Sequence, residues 1–292
     1  MNEKMKLKPY LFWSFLIAWI LQVIASVCSM KGQMGGFQMV LAVSMFVPLF
    51  AAIISGKEWK NIGFRPRLKG NVKWLFFAWL VPAILGTLGA AIYFWVFPEA
   101  LDMSFGAVRA SLGEAVAAQL EAGGLTMGLY VAINVISALT YAPWLNMFFA
   151  FGEEVGWRGY MYPILKERFG KTKGRIVGGI IWGIWHWPIM ILAGYEYGKE
   201  YWGAPVTGPI LFCLIATAMG ILLDESYEKT KCIWFPALMH GAINAFAGVP
   251  GLLMNPEFHA QPLLGPLMVG IVGGLPMILL AVFISLKKEK HA

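Results

Sequence analysis

The sequence predicts an all-α polytopic membrane bundle of about eight spanning helices, with both termini cytoplasmic. Three observations carry this prediction. Of 292 residues, 59% are hydrophobic and only 13% are charged, against roughly 45–50% and about 25% in a soluble domain. Apolar runs recur at the length of a bilayer crossing, about 20 residues. Basic residues collect in every second interval between those runs, as cytoplasmic loops require.

The first run, 10–30, follows Lys4, Lys6 and Lys8. It is longer than a signal-peptide core and no clean small-x-small cleavage site follows, so it reads as an uncleaved spanning helix. Runs 36–55 and 72–97 flank a strongly basic loop. Residues 98–126 hold Arg109, Glu114 and Glu121 among mixed apolar positions, which suits an interfacial amphipathic helix. Run 127–151 contains Pro143, a helix breaker, so two helices joined at Tyr141-Ala142-Pro143 are the alternative there. Runs 176–194, 206–223, a short 233–248 and 263–286 complete the set. No repeat or soluble domain interrupts them, and residues 1–292 read as one membrane domain.

Charge tests the order of crossings. With the N-terminus inside, the inner segments hold Lys4, Lys6, Lys8; Lys57, Lys60, Arg65, Arg67, Lys69, Lys73; Arg158, Lys166, Arg168, Lys171, Lys173, Arg175; Lys229, Lys231; and Lys287, Lys288, Lys290. The outer segments hold Lys31, Arg109 and Lys199, so 20 of the 23 Lys and Arg fall inside. The net charge of +7 is therefore a topology signal, and nucleic acid is excluded as a partner; the lipid bilayer is the expected one. Cys28, Cys213 and Cys232 lie in or beside apolar runs without CxxC spacing, which argues against a disulfide set.

Charged side chains in spanning segments are costly and mark function by default. Three clusters qualify. In Glu153-Glu154-Val155-Gly156-Trp157-Arg158, Glu154 and Arg158 share a helix face and can pair. Glu153 points about 100° away and has Trp157, not a cation, at i+4. It is expected to stay available as a general base or acid. In Trp182-Gly183-Ile184-Trp185-His186-Trp187-Pro188, a histidine sits among tryptophans beside a proline. In His240-Gly241-Ala242-Ile243-Asn244, His240 and Asn244 share a face. Taken singly, each has a structural reading: an anchoring ion pair, a core histidine, polar glue between helices. Together, one carboxylate, two histidines and a carboxamide can activate water and stabilise an oxyanion.

The order and spacing of EExxxR at Glu153–Arg158, an aromatic-xxxH at Trp182–His186 and HxxxN at His240–Asn244 resemble the CAAX-protease and bacteriocin-processing family of intramembrane peptidases, including the type II CAAX prenyl endopeptidases. The resemblance covers roughly 145–247, the expected catalytic core. One departure is Trp182, where that family more often has Phe. The resemblance implies that Glu153 and His186 activate the attacking water and that His240 and Asn244 hold the oxyanion. It also implies that Glu154 orients the site, with Arg158 as its structural partner. The implied substrate is a membrane-embedded or lipidated peptide, either of prenylated CAAX type or of leader or bacteriocin type. A zinc site stays open beside the favoured metal-free mechanism, with Glu153, His186 and His240 as ligands and water in the fourth position. Two other classes compete: a non-catalytic self-immunity or peptide-binding protein, and a transporter. The expected location is a bacterial or archaeal plasma membrane, with the active site toward the cytoplasmic side.

Overall fold

The computed structural model describes residues 6–56, 62–258 and 261–287. Lys4, Lys57, Lys60, Lys288 and Lys290 of the charge pattern lie outside the described residues. The elements in order are α1 (Leu7–Met30), α2 (Met34–Ser44), α3 (Val47–Ile54), α4 (Val72–Val96), α5 (Gly106–Leu112), α6 (Glu114–Ala122), α7 (Met127–Leu139), α8 (Ala142–Gly156), a π-turn (Trp157–Met161), α9 (Tyr162–Phe169), α10 (Lys171–Trp185), α11 (Trp187–Ala193), α12 (Thr207–Thr230), α13 (Trp234–Phe246) and α14 (Leu275–Leu286). Among the described residues the fold is all-α, and its one extended pairing is the isolated bridge Leu101–Met254.

Among the described residues five helices are long and apolar enough to cross a membrane: Leu7–Met30, Met34–Ile54, Val72–Val96, Lys171–Ala193 and Thr207–Thr230. A sixth results if α6 and α7, bent by 99°, form one span. The sequence estimate of about eight also counted runs that are not single long helices. Run 127–151 divides at Thr140-Tyr141 into α7 and α8, with Pro143 in the first turn of α8, where proline's missing N–H is harmless. Run 233–248 yields the 13-residue α13. In 263–286 only Leu275–Leu286 is helical, because Gly265, Pro266, Gly270, Gly273 and Gly274 break the first half.

The first helix shows how lipid inverts the usual pattern. α1 buries Tyr10, Ser14, Ala18, Gln22, Ala25 and Ser26, while Phe12, Leu16, Ile20, Val23 and Ile24 stay exposed. Small and polar residues face the protein, and large apolar ones face outward, where lipid replaces water. α12 is the central helix, with 78% of its apolar window buried, against 28% for α1.

Two close helix contacts set the functional region. α13 lies against α8, where a Cβ on Gly241 would come within 2.5 Å of the Met147 amide nitrogen. α10 lies against α12, where a Cβ on Gly183 would come within 2.7 Å of the Cys213 Cα. Glycine is needed at both because backbone meets backbone. At the ends of α9, α10 and α12, a buried ion network adds a polar tie. Asp224 accepts from Lys166 Nζ at 2.7 Å and from Arg175 Nε at 2.6 Å. Lys166 also meets Glu228 at 2.7 Å, and Arg175 meets Glu225 at 2.8 Å. Lys166 and Arg175, counted above as loop charges, are thus structural.

Gly241→Ala is expected to force α8 and α13 apart and cost about 1–3 kcal/mol, as overpacking does. Thermal unfolding in detergent measures it. Gly128→Ala on α7, where nothing lies within 4 Å of the added carbon, should leave the transition unmoved.

Candidate active site

The paired carboxylates close α8. Glu153 is 2% exposed and Glu154 is fully buried, so each needs partners. Glu154 Oε1 accepts from Arg158 Nη1 at 3.0 Å, the i,i+4 pair that the spacing predicts. The same oxygen lies 2.8 Å from His240 Nδ1, 86 residues further along the chain. A carboxylate oxygen accepts, so Nδ1 carries the proton and Nε2 points away from Glu154. The Arg158 guanidinium lies between two rings, 4.7 Å from the Tyr162 centroid and 4.8 Å from the Trp182 centroid, in the range of cation–π attraction.

Glu153 differs from the sequence reading, which left it available and unpartnered. Its Oε2 accepts two indole N–H groups, from Trp157 at 3.0 Å and from Trp182 at 2.8 Å. The i+4 position holds no cation, but it holds a donor. Among the described residues Oε1 takes no hydrogen bond, so one face of the carboxylate is fixed and the other is left for chemistry. The π-turn begins at Trp157, and all five of its residues are buried. π-turns of this kind recur at functional sites.

His186 is half-buried at the break between α10 and α11. Its backbone N–H bonds to the Gly183 carbonyl at 3.1 Å, a tight turn that leaves the Trp182 carbonyl free. His186 Nδ1 donates to that carbonyl at 2.9 Å, so Nε2 of the neutral ring is the acceptor. Glu153 and His240 both lie within electrostatic reach of His186. Trp182 therefore meets Glu153, His186, His240 and Arg158, but not Glu154 or Asn244. Its indole holds Glu153, its carbonyl holds His186, its ring lies 5.3 Å from His240, and Arg158 stacks on it.

Asn244 stands apart from these contacts. It sits one turn beyond His240 on α13 but is exposed, and its side chain makes no hydrogen bond among the described residues. The sequence missed the tryptophan donors. The signal was the indole at i+4 from Glu153, read only as the absence of a cation.

Glu153, His186 and His240, the alternative zinc ligands, are not gathered into a metal-holding group among the described residues. Glu153 turns onto two indoles and His240 onto Glu154. Among the described residues no three His, Cys, Asp or Glu side chains form a group that could hold a metal ion. A cavity of about 620 Å³ lined by Asp102, Ser104, Arg109, Asn255 and Glu257 includes none of these residues. Of its charges, Asp102 accepts from Ser104 and Gly106, and Arg109 meets Glu121 at 2.6 Å.

The fold and site define a class: a helical membrane protein with a buried cluster of two glutamates and two histidines on three helices. Comparison with known sequences narrows it. Residues 135–246 match the family described as type II CAAX prenyl endopeptidase Rce1-like. A CAAX prenyl protease 2 from Methanococcus maripaludis is 33% identical over 93 residues, 32% of this chain and 34% of the relative. The match thus spans about a third of that curated relative's length.

Arg158→Ala is expected to leave Glu154 buried without its cation and to cost about 3–5 kcal/mol. A correspondingly lower unfolding midpoint in detergent is the check, and an unmoved midpoint would contradict the structural role.

Proposed function

We propose that the protein is an intramembrane endopeptidase that hydrolyses a peptide bond of a membrane-associated or lipidated peptide. The observation that carries this is Trp182, which ties Glu153, His186 and His240 into one cluster within the family-matching segment. A buried carboxylate beside a neutral imidazole, next to a histidine backed by a second carboxylate, suits addition of water to a carbonyl. It does not resemble a path of exposed ion ligands.

In the proposed mechanism Glu153 Oε1 takes a proton from water, and His186 Nε2 orients that water through a second hydrogen bond. The hydroxide oxygen adds to the scissile carbonyl carbon. The oxyanion formed is met by the Asn244 amide and by the His240 ring, which Glu154 holds from behind. The proton held by Glu153 then passes to the leaving amine as the C–N bond breaks. Glu154 is a positioning residue for His240, and Trp157 and Trp182 are positioning residues for Glu153. The mechanism needs no metal, and the cluster is proposed to face the cytoplasmic side of a bacterial or archaeal plasma membrane.

Glu153→Gln and His186→Ala are each expected to lower cleavage of a prenylated CAAX-type peptide or a leader-type peptide in proteoliposomes by about 10²–10⁴-fold. Expression and unfolding midpoint should stay near wild type. Wild-type rates in both variants would sink the proposal. Protection from a bacteriocin that persists in Glu153→Gln would favour the peptide-binding alternative instead.

Activity is expected to survive prolonged treatment with a strong zinc chelator, with no stoichiometric zinc in the purified protein by elemental analysis. Loss of activity restored by added zinc would replace the metal-free mechanism.

A further inference from the structure

We infer that Gln22, on the first helix, is a positioning residue for His186: its carboxamide occupies the backbone gap that breaks α10 from α11. Gln22 is 1% exposed, and a buried amide in a spanning helix requires partners for both ends. Its Nε2 donates to the Trp185 carbonyl at 2.8 Å, and its Oε1 accepts from the Ile189 N–H at 3.2 Å. In an uninterrupted helix those two backbone groups would bond to each other, because Ile189 is four residues after Trp185. Gln22 stands in that bond's place.

The sequence supplies the reason for a gap. Pro188 has no N–H, and its ring crowds the carbonyl four residues back. A proline break alone leaves the chain free to re-form hydrogen bonds on either side in several ways. A side chain inserted into the ladder selects one of them. The one selected has the His186 N–H on Gly183 and the Trp182 carbonyl free for His186 Nδ1. The tautomer and direction of the His186 ring thus depend on the break, and Gln22 holds the break open.

The same face of α1 reinforces the position. The Trp185 indole donates to the Ser14 carbonyl at 3.2 Å. Tyr10 packs edge-on against Trp157 with centroids 6.0 Å apart. α1 therefore touches α10, which leads to His186, and the π-turn that follows Glu153, yet it lies outside the segment 135–246 that matches the family.

The test uses the full chain in lipid nanodiscs. Gln22→Met keeps the volume and removes both hydrogen bonds. Gln22→Asn keeps an amide that is one methylene too short to bridge both groups. The kinetic readout rests on the peptidase proposal; the spectroscopic one does not. We expect kcat to fall about 10- to 100-fold in Gln22→Met, the scale of a small misplacement of a reacting group, with KM within about twofold of wild type, and a smaller loss in Gln22→Asn. Ring-nitrogen signals from protein labelled with ¹⁵N-histidine give the second readout. The chain has four histidines, and the His186 signals are those absent from His186→Ala. In wild type His186 should be protonated at Nδ1; in both variants the signals should move toward the other tautomer. Unchanged kcat and unchanged His186 signals in a folded variant would overturn the inference. A lower unfolding midpoint with both unchanged would overturn it equally, leaving Gln22 a packing residue. If the wild type cleaves no peptide, the peptidase proposal falls, and the His186 signals still decide the role of Gln22.

Discussion

Two adjacent carboxylates buried in an apolar bundle are the constraint on which the rest of the site depends. Burial removes Glu153 and Glu154 from bulk water, so each must find donors within the protein. Glu154 finds a guanidinium one turn on and an imidazole on α13. Glu153 finds two indoles, one a turn on and one on α10. These partners fix three helices relative to one another to within a hydrogen-bond length. The geometry of the proposed active site and the satisfaction of its buried charges are the same set of contacts.

Because the donors are short-range, the helices that carry them must approach closely. That explains glycine at 241 and 183, beside His240 and Trp182 respectively. A bundle in lipid gains little from burying large apolar surfaces between helices, since the tails outside are equally apolar. It gains from backbone proximity and from polar contacts shielded from water. The buried network of Asp224 with Lys166 and Arg175 does the same at the ends of α9, α10 and α12. The site is rigid where Glu154 and Arg158 lie. The one interruption of regular helix beside His186 is held by a side chain from another helix.

Trp182 departs from the phenylalanine more often found at this position in the resembling family. A larger ring was expected to preserve packing and reshape the cleft. Its nitrogen adds a second effect, a hydrogen bond to Glu153 that phenylalanine cannot make. Trp182 thus contributes a donor to Glu153 as well as the volume beside it.

By itself the sequence determined the membrane class, the helical fold, the order of the motifs and the Glu154–Arg158 pair. Those rest on composition and on spacings of four residues, which a helix converts directly into distance. It located Glu153, His186, His240 and Asn244 as the residues to watch. Only the tertiary structure decided that His240 turns onto Glu154 while Asn244 stays exposed, that Trp182 rather than open space meets Glu153, and that Gln22 reaches the Trp185 carbonyl across 163 residues of chain. It also decided which apolar runs are single helices. Local spacing says which residues share a face; it does not say which helix lies against that face. A buried polar atom finds its partner wherever the packed bundle brings one, and that partner's place in the chain leaves no periodic trace.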